Sequence, residues 1–279
     1  MTPDIRHLSS APPTKGRFPF RLATTSYILP AEILPNVHFL AKSFDEIELV
    51  LFESGQESNL PSLSEIEEMR LLALDLDITY NVHLPADLFF GDPDAGLRRK
   101  FCETAFSFYE RTLPLAPSCY ILHLDSRKAD MAVVTDTPAW EARVRESLET
   151  MRTMGIDLRR VAVENLEYPL SRVSPFVEAF DMSYCLDAGH LLRYGHDLAE
   201  QTDLFLRKSS MVHLHGVGDG KDHLALDLIP HNQWEVLRRA LEGYDGGVSI
   251  EVFSLDDLTL SLVRVMEIWG QERISYDEA

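Results

Sequence analysis

The sequence contains no apolar run that approaches the roughly 20 residues needed to cross a bilayer. Residues 1–17 are polar and rich in proline, and they lack the apolar core of a signal peptide. We therefore expect a cytoplasmic protein without a membrane partner. We expect a loose tail over residues 1–17 and one folded domain over residues 18–279.

The residue patterns of several common enzyme classes are also missing. The three cysteines, Cys102, Cys119 and Cys185, are widely spaced and form no CxxC pair, so we expect reduced core cysteines rather than nucleophiles. No GxGxxG follows the first predicted strand, and neither a GxSxG nor a phosphate-binding P-loop is present. These absences argue against a dinucleotide-binding domain, a serine hydrolase and a P-loop nucleotidase.

Basic residues are scarce relative to acidic ones. The chain has 26 Lys and Arg against 45 Asp and Glu, which gives a formal net charge of −19. Such a surface repels the nucleic-acid backbone unless bound cations or a basic groove offset it, and no run of Lys and Arg provides that groove. We therefore expect no nucleic-acid partner.

What the sequence does contain is an eightfold alternation of short apolar segments and helical segments. The predicted strands cover residues 22–27, 46–52, 77–84, 119–124, 160–163, 183–186, 211–215 and 248–253. The predicted helices cover 31–42, 63–75, 95–113, 138–154, a short helix from Ser174-Pro175, 197–208, 231–242 and 256–269. This order, without a linker, predicts a single (βα)8 barrel, with an open doubly wound sheet as the alternative.

The stretch from Cys185 to His190 shows how these strands end. An apolar run stops at Asp187, and His190 follows after a glycine that we interpret as a sharp turn in a loop. The apolar flank predicts burial, where an unpaired carboxylate is costly, so a cation or a hydrogen-bond network must compensate Asp187.

Most of the other predicted strands also deliver a histidine or a carboxylate at or just past their C-terminal ends. The set is His83, His123, Glu164, Asp187, His190, His213, His215, Asp222, His223 and Glu251. Each member alone has a structural explanation, as a core histidine, an ion-pair partner or a surface residue. In a barrel, however, all strand ends meet at one face, and converging imidazoles and carboxylates make a divalent metal site. Zn, Mn, Fe and Co all suit these ligands.

This order of residues resembles the xylose-isomerase-like barrels, and within them the apurinic-site endonuclease branch. Asp187-Ala-Gly-His190-Leu-Leu-Arg-Tyr-Gly195-His-Asp197 is similar to that branch's D-x-x-H-x-x-x-x-G-x-D element. The resemblance implies two or three metal ions: one on His83, His123 and Glu164, a second on the bridging Glu164 with Asp187, His213 and Glu251, and a third on His190 with Asp222 and His223. The branch has Asp-x-His where Asp222 and His223 are adjacent here, which puts the third ion in question.

Residues 22–37, 48–53, 58–61, 82–85 and 213–216 are similar to the cobamide-remodelling phosphodiesterase (CbiR) family. The resemblance implies a corrinoid substrate, a cobamide, whose nucleotide loop is hydrolysed at its phosphodiester to α-ribazole and cobinamide phosphate. Glu164 would bridge two ions, and His190 or His215 would donate the proton to the leaving oxygen. A sugar-phosphate isomerase or epimerase with a single ion, and a non-catalytic corrinoid-binding protein, are the alternatives. The oligomeric state is left open.

Overall fold

The computed structural model describes residues 13–54, 57–125 and 138–269. Eight parallel strands in these ranges close into a barrel. They are β1 (Arg21–Thr25), β2 (Glu46–Val50), β3 (Thr79–His83), β4 (Tyr120–His123), β5 (Val161–Glu164), β6 (Ser183–Asp187), β7 (Ser209–Leu214) and β8 (Gly247–Ile250). Each strand pairs with its neighbours in the chain, and β1 closes the barrel against β8. The predicted (βα)8 barrel is confirmed, and the open sheet is excluded.

Helices connect the strands on the outside of the barrel. They are α1 (Ile33–Leu40), α2 (Leu63–Leu76), α3 (Ala95–Thr112), α4 (Pro138–Met154), α5 (Leu170–Ala179), α6 (Ala188–Arg193), α7 (Leu198–Phe205), α8 (His231–Leu241) and α9 (Leu255–Trp269). Ser62-Leu-Ser-Glu65 has the sequence pattern of a capping box, and the structure confirms it at the start of α2, since Ser62 and Glu65 exchange side-chain and backbone hydrogen bonds. None of the described helices is long and apolar enough to span a bilayer.

The start of α5 corrects the sequence prediction. This helix begins at Leu170, one turn before the predicted start at Ser174, and Pro175 lies inside it. A proline within a helix leaves the carbonyl four residues earlier without its usual N–H donor. Here the Ser174 hydroxyl donates to the carbonyl of Ser171 instead, at 3.0 Å. That substitute hydrogen bond lets the helix continue through the proline.

The polar residues 216–223 predict a loop after β7, but the structure differs from this prediction. Gly216–Gly218 and Lys221–Leu224 form a two-stranded antiparallel hairpin. Its turn residues Asp219 and Gly220 have positive φ angles of 50° and 74°, as a tight hairpin turn requires. The hairpin carries Asp222 and His223 to the C-terminal mouth of the barrel.

Three predictions fall partly outside the described ranges. Residues 1–12 of the predicted tail lie there, and so do residues 55–56, 126–137 and 270–279 of the predicted domain and Thr137, which we expect to cap α4. Thr14 belongs to the predicted tail, but it is buried, and its hydroxyl donates to the carbonyl of Ser43 at 2.6 Å.

The core has two layers. Large side chains such as Trp140 and Trp234 are buried between the strands and the helices. A smaller cluster fills the barrel itself: Cys119, Ile121, Ala162, Cys185 and Met211. All three cysteines are free and buried, as expected from their spacing. The histidines and carboxylates at the strand ends lie on the C-terminal side of this apolar cluster, at the mouth of the barrel.

Candidate metal centre

Asp187 ends β6 and caps the helix that follows it. Its Oδ1 accepts the backbone N–H of His190 at 2.6 Å. His190 therefore lies on α6, and the prediction of a loop at this position was wrong, because a carboxylate at a strand end can start a helix directly. Asn165 holds Asp187 in place, with its side chain bonded to both the N–H and the carbonyl of Asp187 at 2.9 Å.

Gly189 does not form the predicted turn. It lies within α6, and it is not among the glycines with positive φ. A Cβ at this position would overlap the imidazole of His215. The glycine thus makes room for a buried histidine of the neighbouring strand end, rather than turning the chain.

The first group of candidate ligands is His83, His123 and Glu164. Glu164 Oε2 lies 3.1 Å from His123 Nε2 and 3.5 Å from His83 Nε2. His83 Nδ1 lies 2.7 Å from the carbonyl of Leu84, to which it donates its hydrogen. When His83 is neutral, its lone pair is therefore on Nε2, the nitrogen on the side of Glu164, and this is the tautomer that a metal ligand needs.

The second group is Glu164, Asp187, His213 and Glu251, all buried. His213 Nδ1 lies 3.0 Å from Glu251 Oε2, 3.5 Å from Glu164 Oε2 and 3.8 Å from Asp187 Oδ2. Within this group one ligand atom from each residue lies within 4.8 Å of the others. Glu164 belongs to both the first and the second group, so one carboxylate joins two adjoining sites.

A third group consists of His190, His215 and His223. The ring centres of His215 and His223 are 4.3 Å apart, and His190 lies 5.1 Å from His215. Asp222 does not join this group. It forms an ion pair with Arg193, and its Oδ2 lies 3.8 Å from His190 Nε2. The expected pair of Asp222 and His223 is thus divided, because Arg193 supplies a closer partner for the carboxylate.

Several polar atoms of these groups are buried and lie near opposite charges, yet make no hydrogen bond of ordinary geometry with the described residues. They are Asp187 Oδ2, both ring nitrogens of His213, His215 Nε2 and Glu251 Oε2. Unpartnered buried polar atoms are costly, and native proteins rarely leave them so. Convergent nitrogen and oxygen donors are what a divalent cation binds, so the residues fit a metal ion.

The buried carboxylates of the centre also require a compensating positive charge. Burial acts to raise the pKa of Glu164, but the nearby imidazoles of His123 and His213 hold it well below its ordinary value. Conversely, burial acts to lower the pKa of His190, yet the carboxylates of Asp187 and Glu164 raise it to about 10. Without a cation, a proton on His190 offsets part of the carboxylate charge, and a divalent ion can take over that role.

The centre opens into a cleft of about 370 Å³. The cleft is lined by Val50, His83, Ala86, His123, Asp125, Glu164, Leu166, Glu167, His190, Tyr194, His223, Glu251 and Phe253. His215 is absent from this lining and is fully buried.

Among the described aromatic residues only Tyr27, Tyr194 and Phe253 are exposed, to 43%, 44% and 41%. Each follows a barrel strand on the side where that strand ends, so the exposed aromatic rings belong to the face that carries the metal centre. Sequence analysis missed these three residues. Tyr27 and Phe253 lie two and three residues after β1 and β8, so their positions were a usable signal.

No protein-family model and no curated protein sequence matches the chain. Solved structures do match it. A D-tagatose 3-epimerase-like protein aligns with a TM-score of 0.71 and 19% identity, over 92% of this chain and 100% of that chain. D-Psicose 3-epimerase from Clostridium cellulolyticum, solved with D-tagatose, has a TM-score of 0.64 and 16% identity, over 93% of each chain. Endonuclease IV from Thermus thermophilus has a TM-score of 0.62 and 18% identity, over 90% of this chain and 99% of that chain.

At identities of 16% to 19%, these matches establish a similar fold and no shared function. The chain shares the (βα)8 TIM barrel of these proteins, the fold that its alternation of strands and helices predicts. Epimerases and an endonuclease both have this barrel, so the fold does not separate the functions that remain open. The site residues must do so.

Proposed function

We propose that the chain is a metal-dependent phosphodiesterase that hydrolyses the nucleotide loop of cobamides to α-ribazole and cobinamide phosphate. The observation that carries this proposal is the buried Glu164, which two adjoining ligand groups share at the floor of an open cleft. Divalent ions held by these residues would supply Lewis-acid stabilisation of the anionic phosphodiester as charge develops on its oxygens. Glu164, as a member of both groups, would help to hold an ion in each of them.

Each of the first two groups of candidate ligands is assigned one metal ion. His83 and His123 would hold one ion with Glu164, and Asp187, His213 and Glu251 would hold the second with it. The ions are Zn, Mn, Fe or Co, since nitrogen and carboxylate donors serve all four.

The proton donor is His190 rather than His215. His190 lines the cleft, and its Nδ1 lies 3.0 Å from the carbonyl of Asn165, so Nε2 is the nitrogen available to a substrate. His215 is fully buried, and its Nδ1 accepts the backbone N–H of His223 at 3.1 Å. His190 can protonate the leaving ribose oxygen only if it does not bind an ion. This role therefore leaves the third group without a metal during turnover.

The exposed aromatic residues support a substrate with large flat rings. Phe253 and Tyr194 line the cleft itself, and Tyr27 packs edge-on against Phe52 with ring centres 6.5 Å apart. A cobamide offers such rings in its lower base and in its corrin. The cobamide itself is proposed from the similarity of residues 22–37 and 213–216 to the cobamide-remodelling family.

We expect Tyr27→Ala and Phe253→Ala each to raise KM for a cobamide about tenfold while kcat changes little, because stacking on one aromatic ring contributes roughly 1–3 kcal/mol. Steady-state kinetics with adenosylcobalamin measure both constants. Tyr27→Phe keeps the ring and is expected to retain the KM. Leu260→Ala removes an exposed apolar side chain from α9 and serves as the control. Unchanged KM values in both alanine variants would remove these rings from substrate binding.

An epimerase acting on a sugar is the second candidate. The group of Glu164, Asp187, His213 and Glu251 is by itself sufficient for one ion, and the solved D-psicose and D-tagatose 3-epimerase-like structures share the barrel. This candidate gives no role to His83 and His123, which the structure nevertheless directs at Glu164.

Incubation of the protein and divalent metal with adenosylcobalamin, followed by liquid chromatography and mass spectrometry, tests the proposal. The expected products are α-ribazole and cobinamide phosphate. Recovery of bound but intact cobamide would instead support a corrinoid-binding protein, and conversion of D-tagatose or D-psicose without cobamide cleavage would support an epimerase. A duplex with an abasic site is expected to stay uncut, given the charge of −19.

A further inference from the structure

Glu48 is a buried carboxylate that the ligand groups do not include. It lies on β2, pairs in register with Thr25 and Asn81 of the adjacent strands, and has no exposed surface. Neither of its side-chain oxygens has a hydrogen-bond partner among the described residues. A buried carboxylate without a partner is costly, so Glu48 requires a compensating group.

The neighbouring carboxylate on the same strand provides a contrast. Glu46 is equally buried, but Arg21 donates to its Oε2 at 3.0 Å and Asn81 to its Oε1 at 3.1 Å. Ser118 also donates to Glu46 Oε1. The same residue type two positions earlier is thus fully compensated by its own partners, whereas Glu48 is not.

The group that faces Glu48 is the imidazole of His213. His213 Nε2 lies 3.3 Å from Glu48 Oε2, an ion-pair distance at which the two atoms do not yet form a hydrogen bond of ordinary geometry, and both side chains are fully buried. The opposite nitrogen, Nδ1, faces the carboxylates of Glu164, Asp187 and Glu251. The ring therefore stands between Glu48 on one side and the second ligand group on the other.

We propose that Glu48 is a positioning residue for the metal centre: it accepts the Nε2 hydrogen of His213 and so directs the Nδ1 lone pair into the second ligand group. A histidine ligand commonly donates its other ring hydrogen to a carboxylate or a carbonyl, which fixes the tautomer and the ring orientation. The inference rests on the proposed metal site but does not depend on the identity of the substrate.

Affinity for Zn²⁺, measured by competition with a chromophoric chelator, tests the role of Glu48. Glu48→Gln keeps the side-chain size but can donate a hydrogen to Nε2, which would place the ring hydrogen on Nδ1. We expect one Zn²⁺ to bind roughly 10–100-fold more weakly, as is typical when such a partner is lost. Glu46→Gln makes the same change in a carboxylate that does not contact His213, and its Zn²⁺ affinity is expected within about twofold of wild type. Glu48→Asp keeps the acceptor and should recover part of the loss.

The tautomer of His213 gives a second, independent readout. In long-range ¹H–¹⁵N spectra of the Zn²⁺-loaded full-length protein, we expect the His213 hydrogen on Nε2. A hydrogen on Nδ1, or equal Zn²⁺ affinities of Glu48→Gln and wild type, would overturn the inference. If Glu48→Gln does not fold, the wild-type tautomer alone decides. A protein that needs Glu48 for Zn²⁺ but cleaves no cobamide would contradict the proposed function and leave this inference intact.

Discussion

Replacing Glu164 with glutamine is expected to release at least one metal ion per chain and to lower turnover by about 10³-fold or more, since a bound metal contributes several kcal/mol to catalysis. The amide keeps the size of the side chain but removes the charge that two ligand groups share. Metal content is measured by elemental analysis of the purified variant, and turnover by product formation from adenosylcobalamin.

The fold of Glu164→Gln is expected to survive, because the apolar layers of the barrel do not include this side chain. Circular dichroism and the thermal unfolding midpoint verify this. Glu46→Gln again provides the matched control, as a buried strand carboxylate that is compensated by Arg21 rather than by the histidines. Near-full turnover and metal content in Glu164→Gln would show that the site is wrongly assigned at its centre.

Removing the imidazole of His190 is expected to lower kcat by about 10²-fold or more, as loss of a general acid does. Asp222→Asn is expected to lower kcat by less than about fivefold, because the ion pair with Arg193 already occupies this carboxylate and general acid–base chemistry does not need it. The two side chains lie 3.8 Å apart, so the comparison separates their roles at one place in the cleft.

Steady-state kinetics of His190→Ala and Asp222→Asn over a range of pH make this comparison. If His190 donates the proton, its loss should remove the alkaline limb of the kcat profile, whereas Asp222→Asn should retain that limb. Equal and complete losses of activity in both variants would instead indicate that a third ion, held by His190 together with Asp222, is essential.

The sequence was sufficient to predict the barrel and the residues at its strand ends. Strands covered on both faces are continuous apolar runs, so His123 or Asp187 at the end of such a run was conspicuous. Because all eight strands are parallel, their ends must meet at one face, and the structure indeed brings His83, Glu164 and His213 together there.

Some local features were missed although the sequence carried a signal. Asp219-Gly220 is a typical hairpin turn, and it predicts the hairpin that was interpreted as a loop. In β2, Glu46 and Glu48 alternate with Ile47 and Leu49, and this period of two places both carboxylates on one face of the strand.

Other features depend on tertiary contacts that no local pattern encodes. Arg193 reaches Asp222 across 29 positions of the sequence, and this pair alters the third group. The requirement for Gly189 likewise arises from His215 on another strand end. Only the structure could therefore show that Asp222 pairs with Arg193 while His223 joins the third group.

The metal stoichiometry tests the central claim most directly, namely that Glu164 joins two metal sites. Elemental analysis of protein purified without a chelator, and again after reconstitution with Zn²⁺, Mn²⁺, Fe²⁺ or Co²⁺, gives the number of ions per chain. The two groups that share Glu164 predict at least two ions. One ion or fewer per chain after reconstitution would contradict the account and would favour the single-ion epimerase.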